Sequence, residues 1–346
     1  MYQVWVYKTS QIEHDFTLSG PSHLTTVNWN DERYRRSTMA SLVKGVYVLK
    51  DDHRQHRQGS EALAPLWWES FHFKLLHGLT DDEDSSIFGA VYEYKPKSNN
   101  YLGLIRAPKY VIAFRGTSKN KDTVLEDMSC NMNILLNNLH STPRFAKAMK
   151  VVRKMVSENG ASNIWLAGHS LGAAMAMGTG KTMAKEGVFL EAYLFNPPFI
   201  AAPIEPIGNR LVRYGLLVAC TTITVGLTVF LQSNQEMQQS EDLFTSLSPW
   251  IPNLFLHPDD TICSGYIAYF ELQEMFKSCG LEIIGRLEAQ HSWQGLFMNA
   301  IGLENWSEEL HLIPSARVTT SSNPKPHKLS QWYTDNSVSV PKVYQY

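Results

Sequence analysis

The residues Gly168-His169-Ser170-Leu171-Gly172 have the spacing Gly-x-Ser-x-Gly, in which two glycines flank a serine. An apolar run, 163–167, precedes them, and small residues at 173, 174 and 176 follow. This order predicts a buried strand, a tight turn and a helix, the arrangement that lifts a serine hydroxyl above a sheet for nucleophilic attack. The helix N-terminus adds a positive dipole close to that hydroxyl. We therefore predict Ser170 as a nucleophile and the backbone N–H of Leu171 as an oxyanion donor.

A second turn of interest ends an earlier apolar strand, Lys109–Phe114, with the residues Arg115-Gly116-Thr117. An oxyanion hole needs a second N–H donor from a loop beside the serine turn. We predict that Thr117 supplies this donor.

A nucleophilic serine needs a base and an acid, and both candidates come later in the chain. The apolar segment 254–256 ends in His257-Pro258-Asp259-Asp260, which places two carboxylates at the end of a strand. The order Ser, then Asp or Glu, then His is the order of an α/β-hydrolase. We predict that Asp260 orients the imidazole, with Asp259 as the alternative.

Three histidines follow that acid: His291, His311 and His327. We favour His327 as the base because it lies in a polar loop, 324–327, where catalytic groups are commonly carried. Spacing alone leaves His291 and His311 as alternatives. For His169, inside the serine turn, we expect a packing or hydrogen-bonding role rather than catalysis.

The elements that must position these residues alternate along the middle of the chain. Apolar strands at 87–94, 109–114, 163–167, 189–195 and 252–256 are separated by helices such as 171–185. Near-continuous apolar strands of this kind predict a mostly parallel central sheet with helices on both faces. We expect residues 87–346 to form this domain. Residues 1–86, with helical spacing at 40–49 and 63–76, should form a helical extension packed on it.

A long apolar segment lies within that domain, at 211–231. Its uncharged part, 214–231, is at the lower length limit of a membrane-spanning helix. A buried core helix, a lid or membrane-facing helix, and a true span are the three interpretations. The segment is thus a candidate for contact with a membrane surface.

Composition excludes several classes of protein. The net charge is −2 over 346 residues, with 44% hydrophobic residues, so neither a disordered chain nor nucleic-acid binding is indicated. Four cysteines are too few for a disulfide framework, and the N-terminal residues do not resemble a signal peptide. We expect a cytoplasmic protein, membrane-associated if 211–231 faces lipid, with no metal or organic cofactor. Oligomeric state is not specified.

Several stretches together resemble a known family. Phe114-Arg115-Gly116-Thr117, the serine turn with its flanks Leu166-Ala167 and Ala173-Ala174, and the late Asp and His are similar to class 3 (fungal-type) lipases. The similarity is greater to their plant branch of lipase-like α/β-hydrolases, often labelled GDSL esterase/lipase, although this chain has no Gly-Asp-Ser-Leu motif. The resemblance spans roughly residues 15 to 335.

This resemblance implies an α/β-hydrolase fold and a Ser170–His327–Asp260 triad, with Thr117 among the oxyanion donors. It also implies hydrolysis of carboxylic esters, with a lipid or a small ester as substrate, through an acyl-enzyme on the serine. The alternative is a catalytically silent lipase-like scaffold that binds a partner or a lipid.

Overall fold

The computed structural model describes residues 26–96, 106–117, 139–199, 242, 244–278, 313–333 and 338–345. In the part of the chain that it describes, eight strands form one sheet, and their order in space is their order in the chain. They are β1 (Phe73–Thr80), β2 (Ile87–Tyr94), β3 (Tyr110–Phe114), β4 (Ile164–His169), β5 (Glu191–Phe195), β6 (Asn253–Leu256), β7 (Ala316–Thr320) and β8 (Lys342–Tyr344).

The strand directions define a mostly parallel sheet, as predicted. Strands β3 to β7 run parallel to one another. The pairs β1–β2, β2–β3 and β7–β8 are antiparallel and lie at the two edges. All the parallel strands therefore have their carboxyl ends on the same side of the sheet, which we call its carboxyl edge. Loops there can bring together side chains from distant parts of the chain.

Within the described residues, the helices that cover the sheet include α1 (Glu32–Arg54), α2 (Leu66–Glu69), α3 (Pro143–Asn159), α4 (Leu171–Lys185) and α5 (Gly265–Ser278). Alternate residues of each central strand point to opposite faces. Ile112, Leu166 and Leu194 pack into a core with α3, α4 and α5. Val111, Trp165 and Tyr193 pack into a second core with α1 and α2. The predicted arrangement of helices on both faces is thus confirmed.

Local sequence signals set the bounds of α3, the helix that precedes β4. Thr142 caps α3 by accepting a hydrogen bond from the N–H of Phe145 at 3.2 Å, and Pro143 occupies the first helical position. Gly160 ends α3 with a φ of 82°. Helix α4 begins directly after Ser170 and has the predicted bounds, 171–185.

The structure has a helix, α1, over the predicted helical segment 40–49 but no continuous helix over the predicted segment 63–76. Only Leu66–Glu69 is helical there. A turn follows, in which His72 has a φ of 63°, and β1 begins at Phe73. Apolar residues at three- and four-residue spacing fitted a helix, but antiparallel hydrogen bonding to β2 decides the local structure. Residues 73–80 thus belong to the sheet, whereas α1 packs on its face.

The apolar segment 211–231 and the start of the chain, 1–25, lie outside the described residues. Among the helices that the structure does describe, none combines the length and the apolar character that crossing a membrane requires.

Candidate active site

The serine turn joins β4 to α4 through an unusually close approach of backbone. A Cβ at Gly168 would lie 2.2 Å from the carbonyl oxygen of Gly172, and a Cβ at Gly172 would lie 2.4 Å from that of Phe114. Neither position can therefore hold a larger residue without displacing the backbone. Ser170 itself has a φ of 56° and a ψ of −128°, a strained conformation for a residue with a side chain. The turn thus projects the Ser170 side chain at the carboxyl edge of the sheet.

Two side chains from later loops meet that serine. Nε2 of His327 lies 3.1 Å from Oγ of Ser170, and Nδ1 of His327 lies 2.8 Å from Oδ2 of Asp260. The Asp260 side chain is only 2% exposed, whereas that of His327 is 23% exposed. The three groups form a hydrogen-bonded line from a buried carboxylate, through an imidazole that solvent reaches, to the hydroxyl of Ser170.

Asp260 is held as a carboxylate by its neighbours. Burial by itself raises the pKa of Asp260, but hydrogen bonds from His327, Asn196 and Cys263 outweigh burial and lower it. Asn196 Nδ2 donates at 2.7 Å, and the N–H of Ile262 donates to the other carboxylate oxygen at 3.1 Å. A carboxylate with these donors favours the tautomer of His327 that carries its proton on Nδ1.

The loop that carries His327 is fixed from one side by amide side chains. Asn196 Nδ2 donates to the carbonyl oxygen of Pro326 at 3.0 Å, and Gln331 Nε2 donates to the same oxygen at 2.6 Å. Asn196 accepts in turn from the indole of Trp332 at 2.7 Å. Asn196 therefore ties the acid and the histidine loop to the end of β5.

The turn after β3 is held by its arginine. Arg115 is buried, and its guanidinium donates to the carbonyl oxygens of Ile87 and Gly116, each at 2.6 Å. Thr117 follows as an exposed residue, and a Cβ on Gly116 would come within 2.9 Å of Ser170 Cβ. Leu171 opens α4, where its N–H has no acceptor within the helix. Both predicted oxyanion donors thus belong to segments that flank Ser170.

His169 is buried between these segments. Its Nε2 lies 3.1 Å from the carbonyl oxygen of His327, and its Nδ1 lies 2.9 Å from the hydroxyl of Tyr47 in α1. Burial, with a further contribution from nearby His327, lowers the pKa of His169 to about 3. His169 is therefore neutral at physiological pH.

A neutral His169 predicts a loss of stability in acid. An unfolded histidine titrates near 6.5 and His169 near 3, so between these values the unfolded chain holds one more proton. The charged or titratable groups that face the ring are Tyr47, His327, Asp260 and Lys44, and a substitution at 169 leaves all four in place. We expect His169→Gln, which cannot titrate, to lose about 2 kcal/mol less than wild type between pH 6.5 and about pH 4.5.

The measurement is urea unfolding at both pH values. His77, whose pKa is also lowered, is retained in the variant, so the difference between the two proteins isolates residue 169. Parallel losses in wild type and variant would contradict a neutral, buried His169.

The alternatives from the sequence have different outcomes. His291 and His311 lie outside the described residues. Asp259 is exposed, and its N–H donates to His257 Nδ1 at 3.0 Å, whereas Asp260 is the carboxylate that contacts His327.

Two residues of this site were not foreseen from the sequence. Asn196 follows a buried strand directly, in Phe195-Asn196-Pro197-Pro198, and a polar residue at that position was a usable signal. Tyr47 lies within a helix 122 residues before His169, and nothing in the local pattern marks it.

The parallel sheet, the helices on both faces and the strained serine turn between β4 and α4 define the chain as an α/β-hydrolase in fold. Comparison with known proteins agrees. A family model described as phospholipase-like, a Tle-like phospholipase domain, matches residues 38–205. A GDSL esterase/lipase from Arabidopsis thaliana is 40% identical over 348 residues, covering 96% of this chain and 98% of that protein.

The chain therefore belongs to the lipase-like hydrolase family of that plant protein. Among solved structures, a lipase from Rhizopus microsporus var. chinensis matches with a TM-score of 0.29 and 13% identity, over 49% of this chain and 58% of that one.

Proposed function

We propose that the protein is a serine hydrolase that cleaves carboxylic esters, with lipid acyl esters as its substrates. One observation carries the proposal: Oγ of Ser170, on its strained turn, lies 3.1 Å from an imidazole whose other nitrogen lies 2.8 Å from Asp260. This line of groups can remove a proton from the serine and return it to a leaving group.

The reaction proceeds in two halves. His327 Nε2 takes the Ser170 proton while Oγ attacks the ester carbonyl, and Asp260 stabilises the resulting imidazolium. The N–H groups of Thr117 and Leu171 bind the oxyanion, each worth about 3 kcal/mol in the transition state. Collapse of the tetrahedral intermediate transfers the proton to the departing alcohol and leaves an acyl ester on Ser170. Water, deprotonated by His327, then releases the acid and restores the serine.

The substrate class is supported by the relatives and by the sequence. The matching family model is described as phospholipase-like, and the plant relative is named an esterase/lipase. The apolar segment 211–231 would suit an acyl chain or a lipid surface. A long acyl ester at a lipid interface is therefore the expected substrate.

Activity-based labelling tests this proposal. The protein is treated with a fluorophosphonate probe, and the modified residue is identified by mass spectrometry after digestion. We expect the label on Ser170, and we expect prior labelling to abolish hydrolysis of p-nitrophenyl esters. Rates should rise with acyl length and with added detergent or lipid.

The catalytically silent scaffold makes the opposite prediction. A folded protein that neither labels nor hydrolyses any ester, even with a lipid interface present, would overturn the proposed activity. Turnover limited to short soluble esters would overturn the lipid assignment alone.

A further inference from the structure

The residue between Gly168 and Ser170 makes contacts that the proposed reaction does not use. His169 places one ring nitrogen 3.1 Å from the carbonyl oxygen of His327 and the other 2.9 Å from the hydroxyl of Tyr47. Tyr47 Oη also lies 2.7 Å from the backbone nitrogen of Gly116. Two side chains thus link α1, the turn after β3, the serine turn and the histidine loop.

The direction of each hydrogen bond follows from its partners. A carbonyl oxygen only accepts, so His169 Nε2 carries the proton and donates to His327. Nδ1 is then a bare acceptor and receives the hydroxyl proton of Tyr47. The Tyr47 oxygen in turn accepts the N–H of Gly116. With a neutral imidazole, every polar group in this series of hydrogen bonds has a partner, which fits the strongly lowered pKa of His169.

We propose that Tyr47 and His169 form a positioning pair that fixes the His327 loop and the Gly116–Thr117 turn relative to Ser170. The inference rests on the proposed function, because it assigns roles in that reaction. Neither side chain is assigned a contact with the reacting atoms, so both are positioning rather than catalytic residues.

The pair contacts a peptide group of the His327 loop that Asn196 and Gln331 do not contact. Asn196 and Gln331 both hold the carbonyl oxygen of Pro326, whereas His169 holds that of His327 itself. The orientation of the His327 peptide sets where its ring points. A displacement of about 1 Å at a reacting group can cost roughly 100-fold in rate, so this contact bears on kcat.

The other end of the pair bears on the oxyanion turn. A Cβ on Gly116 would lie 2.9 Å from three atoms: Tyr47 Oη, His169 O and Ser170 Cβ. Gly116 is therefore enclosed by the pair and the serine. Since Thr117 is the next residue, a hydroxyl that fixes the Gly116 N–H also limits where the Thr117 N–H can point.

Three variants of the full-length protein test the pair. Tyr47→Phe removes only the hydroxyl, and His169→Leu removes both ring hydrogen bonds. His169→Gln keeps an N–H donor at the position of Nε2. We expect Tyr47→Phe and His169→Leu to lower kcat by 10- to 100-fold with KM changed less than about threefold. His169→Gln should recover most of the loss that His169→Leu shows.

The double variant provides a further check. Because both residues act through one chain of hydrogen bonds, Tyr47→Phe combined with His169→Leu should cost little more than the worse single change. Losses that multiply, or a rise in KM at unchanged kcat, would overturn the proposal. So would kcat within twofold of wild type in both single variants.

Hydrogen–deuterium exchange gives a readout that does not depend on activity. Peptides covering 324–333 and 115–117 should exchange faster in Tyr47→Phe and His169→Leu, whereas the core strand β6 should not change. Unaltered exchange in both peptides would overturn the pair. A wild-type protein that fails to label or turn over would instead overturn the proposed function, and the exchange result would still decide whether the pair holds the loop.

Discussion

Replacing Ser170 with alanine is expected to abolish fluorophosphonate labelling and to lower kcat for ester hydrolysis by about 10⁶-fold. The variant keeps the turn, the histidine and the oxyanion donors but has no oxygen for acyl transfer. Alanine and serine both carry a Cβ, so the strain at a φ of 56° is the same in the two proteins. Thermal unfolding should therefore be nearly unchanged, which separates a chemical effect from misfolding.

The matched control for this variant is Ser157→Ala. Ser157 is exposed on α3, and its hydroxyl donates to the carbonyl oxygen of Lys154 at 2.9 Å. We expect this control to label and turn over as wild type does. Retention of labelling in Ser170→Ala would place the reactive residue elsewhere and would refute the assigned nucleophile.

Replacing Asp260 with asparagine should lower kcat by about 10⁴-fold at neutral pH. Both carboxylate oxygens accept hydrogen bonds, from His327 and Asn196 on one oxygen and from the N–H of Ile262 on the other. An amide cannot accept all of them. If its NH₂ group faces His327, the ring moves its proton to Nε2 and can no longer take one from Ser170.

Asp259→Asn is the control for that change, because it alters the neighbouring carboxylate in the same way. Asp259 is exposed, and the variant leaves its backbone N–H contact with His257 intact. We expect kcat within about twofold of wild type for Asp259→Asn. If kcat instead falls mainly in the Asp259 variant, the acid has been assigned to the wrong residue. Urea unfolding of both variants measures how much of the Asp260 effect is stability.

The parts of the site that could be predicted from sequence are those that are local or that follow strand order. The serine turn is encoded by contiguous residues, from the apolar strand before Gly168 to the small residues after Gly172. Asp260 could be predicted because a carboxylate after a buried strand lies at the carboxyl edge of a parallel sheet. The bounds of α3 follow from signals that act within one turn, Thr142 and Pro143 at its start and Gly160 at its end.

The remaining features depend on contacts that no local pattern encodes. Spacing could not separate His327 from the other histidines because β7, which places its loop, was not predicted. Tyr47 occupies a position on α1 that reads as ordinary helix, and only its packing brings it to His169. The helix predicted at 63–76 was wrong because half-buried strands and amphipathic helices can share an apolar spacing over a short window.

The distances along the chain that the site bridges have a consequence for folding kinetics. The Ser170–His327 contact closes a separation of 157 residues, Tyr47–His169 one of 122, and Asp260–His327 one of 67. Helices α3 and α4 satisfy most of their hydrogen bonds within a few residues, whereas these contacts must wait for long loops to close. The site therefore belongs to the slow, non-local stage of folding, and a refolded chain in which it is assembled has necessarily regained the parallel order of strands β3 to β7.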